Sequence, residues 1–176
     1  MTDNRIRSMV KNFRKKIDRA QSKGLFAGTM LEEFPTQCCG IASRLLAEFL
    51  LGKGIETLWI SAEEFGTQET HAWLVVKDSR IDPPRSCFDD MPNSIIDLLC
   101  TYGGGSSESI RKSTFYEKKD IVNGLIIDIT GDQFNEAPIY VGYMDGFHKR
   151  FDIVAAFRYE GLLNKEAELY EIIMTQ

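Results

Sequence analysis

Two adjacent cysteines, Cys38 and Cys39, stand where a loop gives way to an apolar helical pattern. The loop signal is Glu33-Phe34-Pro35-Thr36. After it, Ile41, Ala42, Leu45, Leu46, Phe49 and Leu50 recur at three- and four-residue spacing, with Arg44, Glu48 and Lys53 left for the outer face. The spacing predicts a helix over about 39–52, stopped at Gly52-Lys53-Gly54. A helix of this kind is buried by whatever else the chain forms, so the fold has to be arranged around it. It also places a cysteine at a helix start, where unpaired N–H groups and the macrodipole favour the thiolate, the nucleophilic form. Such a cysteine does chemistry only if a base and an orienting group come from elsewhere in the chain.

The flanking elements follow from the same periodicities. Residues 3–22 carry Ile6, Met9, Val10, Phe13, Ile17 and Ala20 as one helical stripe, with the basic residues on the other side. Strands are expected at Thr57–Ser61, His71–Val76, Asn123–Thr130, Ile139–Gly142 and Phe151–Tyr159. A closing helix over 164–174 should turn Leu163, Ala167, Tyr170 and Ile173 inward. Residues 84–120 differ in character. A short helix at Asn93–Cys100 leads into Gly103-Gly104-Gly105-Ser106-Ser107 and a charged run, which reads as an insertion or lid within one domain spanning 1–176. Helices followed by an antiparallel set of strands give an α+β fold.

At 176 residues the chain can bury a real core. No apolar run reaches the roughly 20 residues of a membrane span, and the start lacks a signal-peptide layout. The four cysteines, at 38, 39, 87 and 100, make no secreted disulfide framework. Reduced thiols in the cytoplasm are the expectation, with export by another route left open. The net charge of -5 is unevenly spread: residues 1–24 hold eight Lys or Arg against two Asp. That arm has only Phe13 as an aromatic and no recognition motif, so it is read as the solvated face of a docked helix. Neither a nucleic-acid nor a membrane partner is expected. The sequence does not fix an oligomeric state.

His71 is one of two histidines, which narrows the choice of base. An imidazole beside a thiol takes its proton and returns it to a leaving amine, and a third group fixes the tautomer. Taken singly, each residue has a plainer reading. A cysteine in an apolar helix is commonly a small core residue, His71 can be structural, and Asp128 can simply hydrogen-bond at a strand end. The ordered succession is what points to a triad.

That succession, a helix-start cysteine, then His71-Ala72-Trp73, then Asp128-Ile129-Thr130, resembles the core of the transglutaminase-like proteins within the papain-like thiol enzymes. The fuller pattern adds Phe34-Pro35, Cys39-Gly40, Asp132-Gln133-Phe134 and His148 three residues before Phe151. It is similar to small bacterial proteins of that superfamily, and the likeness covers about 34–151 without the insertion. It implies a nucleophile helix packed on an antiparallel sheet, with His71 as base and Asp128 as orienting carboxylate.

Two choices stay open. Cys39 has Gly40 after it and Ser43 one turn on, whereas Cys38 follows Gln37 and has Ala42 one turn on. Asp82, eleven residues past His71, is the alternative acid. Gln37, Trp73 and Gln133 are candidates for oxyanion or substrate contacts. His148 is expected to pack at the cleft rim with Phe147 and Phe151. No zinc-ligand spacing and no phosphate loop is present, and no metal or organic cofactor is expected. The implied activity is thiol-dependent amide hydrolysis, of peptidase or glutamine-deamidase type, on a protein or peptide substrate. Transamidation or acyl transfer on the same residues is the alternative, and a binding module that keeps the fold without turnover is the contrasting one.

Overall fold

Two strands form the centre of the computed structural model, which describes residues 3–64, 66–67, 69–77 and 121–176. β1 (Thr57–Glu64) and β2 (Thr70–Val76) are rich in the β-branched and aromatic side chains that suit a pleated, buried surface. They pair antiparallel from Thr57–Val76 to Glu63–Thr70. β3 (Ile126–Asp128) joins β2 through Leu74–Ile127 and Val75–Ile126. β4 (Tyr140–Gly142) pairs with β3, and β5 (Phe151–Arg158) lies along the other side of β1. The resulting sheet is antiparallel, in the order β4-β3-β2-β1-β5.

Side-chain alternation along the strands builds a core on each face. Leu74, Ile127 and Val141 face the helices α1 (Asp3–Ser22), α2 (Cys39–Leu51) and α3 (Asn164–Met174). Leu58, Ile60, Trp73, Val75 and Ile126 make the second core with Phe147 and Phe151. The described chain is therefore α+β, with α2 laid on β1 and β2. No described helix is long and apolar enough to cross a membrane. The insertion at 84–120, with its short helix, lies outside the described residues.

The structure corrects three of the sequence expectations. The strand expected over 123–130 keeps a ladder only at 126–128, because the Thr130 N–H donates to Asp128 Oδ1 at 2.8 Å and turns the chain out of the sheet. In α3, Leu163 is 61% exposed and Ala167 is exposed; Glu166 and Leu169 face inward with Ile173 instead. The cause is Glu166, whose carboxylate pairs with Arg44 at 2.8 Å and accepts the Leu163 N–H at 2.8 Å. Arg14, assigned to a solvated face, is buried.

Arg14 is buried because its whole guanidinium is occupied. Nε donates to Asp18 at 2.8 Å and Nη2 to Asp132 at 2.7 Å. Nη1 donates to the carbonyls of Ile129 and, at 3.2 Å, Pro138, and its carbon lies 4.4 Å from the centre of the Phe34 ring. Arg7, earlier on α1, donates to the Val141 carbonyl. The basic helix is thus pinned to the loop between β3 and β4. Arg14→Met would leave a carboxylate and two carbonyls short of donors, so it should lower the unfolding free energy by about 3 kcal/mol. Asp18→Asn, at a half-exposed helical pair, should cost at most ~0.5 kcal/mol. Urea titration at neutral pH reads both, and equal stabilities would remove Arg14 as the anchor.

Candidate functional site

Cys38 occupies the cap position of α2 and Cys39 is its first helical residue. One residue is about 100° of helix, and the two thiols part accordingly. Cys38 turns into the helical core and is 3% exposed, while Cys39 stays half-buried at the surface. Burial pushes the Cys38 thiol up to about 12, with Cys39 and Asp132 adding to the rise and Arg14 opposing it. At neutral pH Cys38 is a neutral core thiol. Ser43, one turn on from Cys39, donates its hydroxyl to the Ala72 carbonyl at 3.1 Å and fixes the start of α2 over the start of β2.

His71 stands beside that clamp, on the sheet face that carries Trp73. Four aromatic rings surround its imidazole: Phe134 at 4.9 Å between centroids, Phe151 at 5.4 Å, Trp73 at 5.5 Å and Phe147 at 5.6 Å. Nε2 donates to Asp128 Oδ2 at 2.8 Å. Nδ1 makes no hydrogen bond of normal geometry, and it is the nitrogen left for the Cys39 sulfur, which lies close enough to act on the ring. Bonds between such groups are commonly long before substrate arrives. Burial opposes the charged imidazole, but Asp128 and then Cys39 outweigh it, and His71 is raised to about 9.

Asp128 is 1% exposed, yet both of its oxygens are served. Oδ1 accepts from the Thr130 N–H at 2.8 Å and the Thr130 hydroxyl at 3.1 Å, and Oδ2 accepts from His71. Burial alone would lift its pKa. The contacts from His148 and His71 win, and its carboxyl sits well below the ordinary range. The turn that follows allows no side chain at Gly131, where a Cβ would lie 2.7 Å from the Ala137 carbonyl oxygen.

The structure thus brings Cys39, His71 and Asp128 together and turns Cys38 away. Asp82 lies outside the described residues. Gln37 is exposed, in a left-handed conformation (φ 56) just before the cysteines, a backbone state that costs a non-glycine residue about 1 kcal/mol. Trp73 is wholly buried beneath the imidazole, and the Gln133 amide donates to the Thr130 carbonyl at 3.1 Å. The rim position expected for His148 is a correction: it is 1% exposed and stands beside Asp128, its ring packed against Phe147 and Trp73. Asp145 three residues ahead of a scarce histidine was the available signal. Among the described residues, no group of three or more His, Cys, Asp or Glu is placed to hold a metal ion.

Comparison of the chain with protein families, with curated proteins and with solved structures found no match.

The His71–Asp128 pair has a pH signature. His71 is raised above its ordinary 6.5, so its stabilisation is complete below that value and is lost as pH rises through about 9. Asp128 is lowered, so its stabilisation is present above its ordinary 3.8 and is lost as pH falls below it. His71→Gln should therefore lower the melting temperature most between those ordinary values, and the gap should close above pH 9. Calorimetry at pH 5, 7 and 10 checks this, and a gap that does not vary with pH would sink it.

Proposed function

We propose that the protein is a thiol-dependent amide hydrolase, of peptidase or glutamine-deamidase type, built on a papain-like or transglutaminase-like core. Cys39 is the nucleophile, His71 the acid and base, and Asp128 the orienting carboxylate. One observation carries this reading: His71 Nε2 is tied to Asp128, Nδ1 has no normal partner, and the half-buried Cys39 lies close enough to raise the imidazole's pKa. A base held at one nitrogen and vacant at the other is what thiol activation requires.

The Cys39 thiolate attacks an amide carbonyl carbon and forms a C–S bond. The oxygen becomes an oxyanion at the start of α2, where Cys38 makes no side-chain cap and leaves the first-turn N–H groups for it. As the C–N bond breaks, the His71 imidazolium gives its Nδ1 proton to the departing amine. Water then attacks the thioester, His71 takes its proton, and the acid leaves with the thiol restored. An amine acceptor in place of water makes the same intermediate a transamidation, and product analysis separates the two. The contrasting binding-module reading forms no such intermediate and gives no fast thiol.

Labelling with iodoacetamide at pH 6 discriminates, since an ordinary thiol is largely protonated there and Cys38 more so. Cys39→Ala should abolish fast labelling and Cys38→Ala should retain it. Asp128→Asn should slow labelling by at least ~10-fold. Labelling no faster than free cysteine, or labelling centred on Cys38, would overturn the assignment.

A further inference from the structure

His148 is as buried as His71, and the thiol chemistry above makes no use of it. It opens the 3-10 turn His148–Arg150 that leads into β5. Its backbone N–H donates to Asp145 Oδ1 at 3.0 Å, and its Nδ1 lies 2.7 Å from the same oxygen. Its Nε2 stands 3.5 Å from Asp128 Oδ2, the oxygen that accepts from His71. That is a charge contact rather than a normal hydrogen bond.

Both ring nitrogens therefore face carboxylate oxygens. An ionised carboxylate only accepts. Asp145 is ionised at neutral pH: burial works to raise its pKa, but the two contacts from His148 hold it below the ordinary range. Asp128 is held down likewise. His148 is thus the side chain that stands between the two carboxylates.

We propose that His148 is a positioning residue of the Cys39–His71–Asp128 site: held by Asp145, it shares the Asp128 carboxylate with His71. The role in the reaction rests on the amide-hydrolase reading; the sharing of the carboxylate rests on geometry. Two imidazoles with centroids 6.5 Å apart compete for one counter-ion. The contact from His148 takes up part of the Asp128 charge that His71 would otherwise have to itself. It thereby keeps His71 from holding its proton as tightly as Asp128 alone would make it do, and a proton held too tightly is returned slowly to a leaving amine.

The other ionisable groups near His148 do not supply this pairing. Tyr140 on β4 lies 4.9 Å away between centroids, with its hydroxyl donated to the Tyr143 carbonyl. Lys149 and Asp152 line an open cavity of about 640 Å³ that His148 borders.

With only two histidines in the chain, ¹⁵N imidazole NMR on the full-length protein reads each of them separately. His148→Gln puts an amide in place of the imidazole and should raise the His71 titration midpoint by about 1 pH unit. Asp145→Asn keeps an acceptor for Nδ1 at a partly exposed position, so it tolerates the change even if His148→Gln does not fold. It should move His71 the same way by less. A His71 midpoint unmoved in both variants overturns the proposal. Iodoacetamide labelling of Cys39 in the same samples separates the two readings. A shifted midpoint without fast labelling sinks the hydrolase and leaves the shared carboxylate standing; fast labelling with an unmoved midpoint does the reverse.

Discussion

An ionised carboxylate taken out of water costs several kcal/mol unless donors replace the lost hydration, and Asp128 is almost fully enclosed. The donors that replace water dictate the surroundings. Thr130 must fold back on Oδ1, which ends β3 after three residues. The chain then needs a side-chain-free position at Gly131 and enters the 3-10 turn Gly131–Phe134, which delivers the Phe134 ring edge against His71. On the other oxygen, His71 must present Nε2, and that leaves Nδ1 without a hydrogen-bond partner. Satisfying one buried charge sets the strand length, the turn and the imidazole's orientation together.

That turn is held from the other side by a second buried charge. Arg14 reaches from α1 to the Ile129 and Pro138 carbonyls and to Asp132, all in the segment that follows Asp128. The same guanidinium lies over Phe34, in the loop that leads to Cys38 and Cys39. One side chain therefore touches the segment behind the acid and the segment ahead of the thiol. The N-terminal helix contributes no group to the proposed chemistry, but it sets the distance between two loops that do. An Arg serves here because its planar fork satisfies several acceptors at once, which a lysine ammonium on a flexible stem does not.

What periodicity reports is apolar burial, and the elements defined by it were legible: the stripe of Ile6, Val10, Phe13 and Ile17, the face of Leu45, Leu46 and Phe49, the run at Ile126–Ile127. Cys39, His71 and Asp128 stood in the sequence as an ordered set through a resemblance, with Cys38 and Asp82 left open beside them. Arg14, Glu166 and His148 were not legible. A buried charge looks like a surface charge until its partner is known, and the partners are far off: Arg14 and Asp132 are 118 residues apart, Arg44 and Glu166 122. His148 was misplaced for a related reason, since its nearer partner, Asp145, is three residues away but its second, Asp128, becomes a neighbour only when β3 and the turn before β5 come together. Asp82 and residues 84–120 fall outside the described chain, so the rival acid and the insertion rest on sequence alone.

The parting of Cys38 from Cys39 bears on oxidation. A sulfenic acid formed on an accessible, thiolate-prone cysteine is ordinarily rescued when a nearby thiolate condenses with it to a disulfide. Cys38 is adjacent in sequence yet unsuited to such a rescue, because it points into the core and its thiol is held protonated. Neighbouring Cα atoms are only about 3.8 Å apart, short of the roughly 4.4 Å at which unstrained disulfides begin. Rotating Cys38 outward would also undo its contacts in the helical core. Two neighbouring thiols in this fold are therefore not a redox couple, and oxidative damage at Cys39 is not reversed by Cys38.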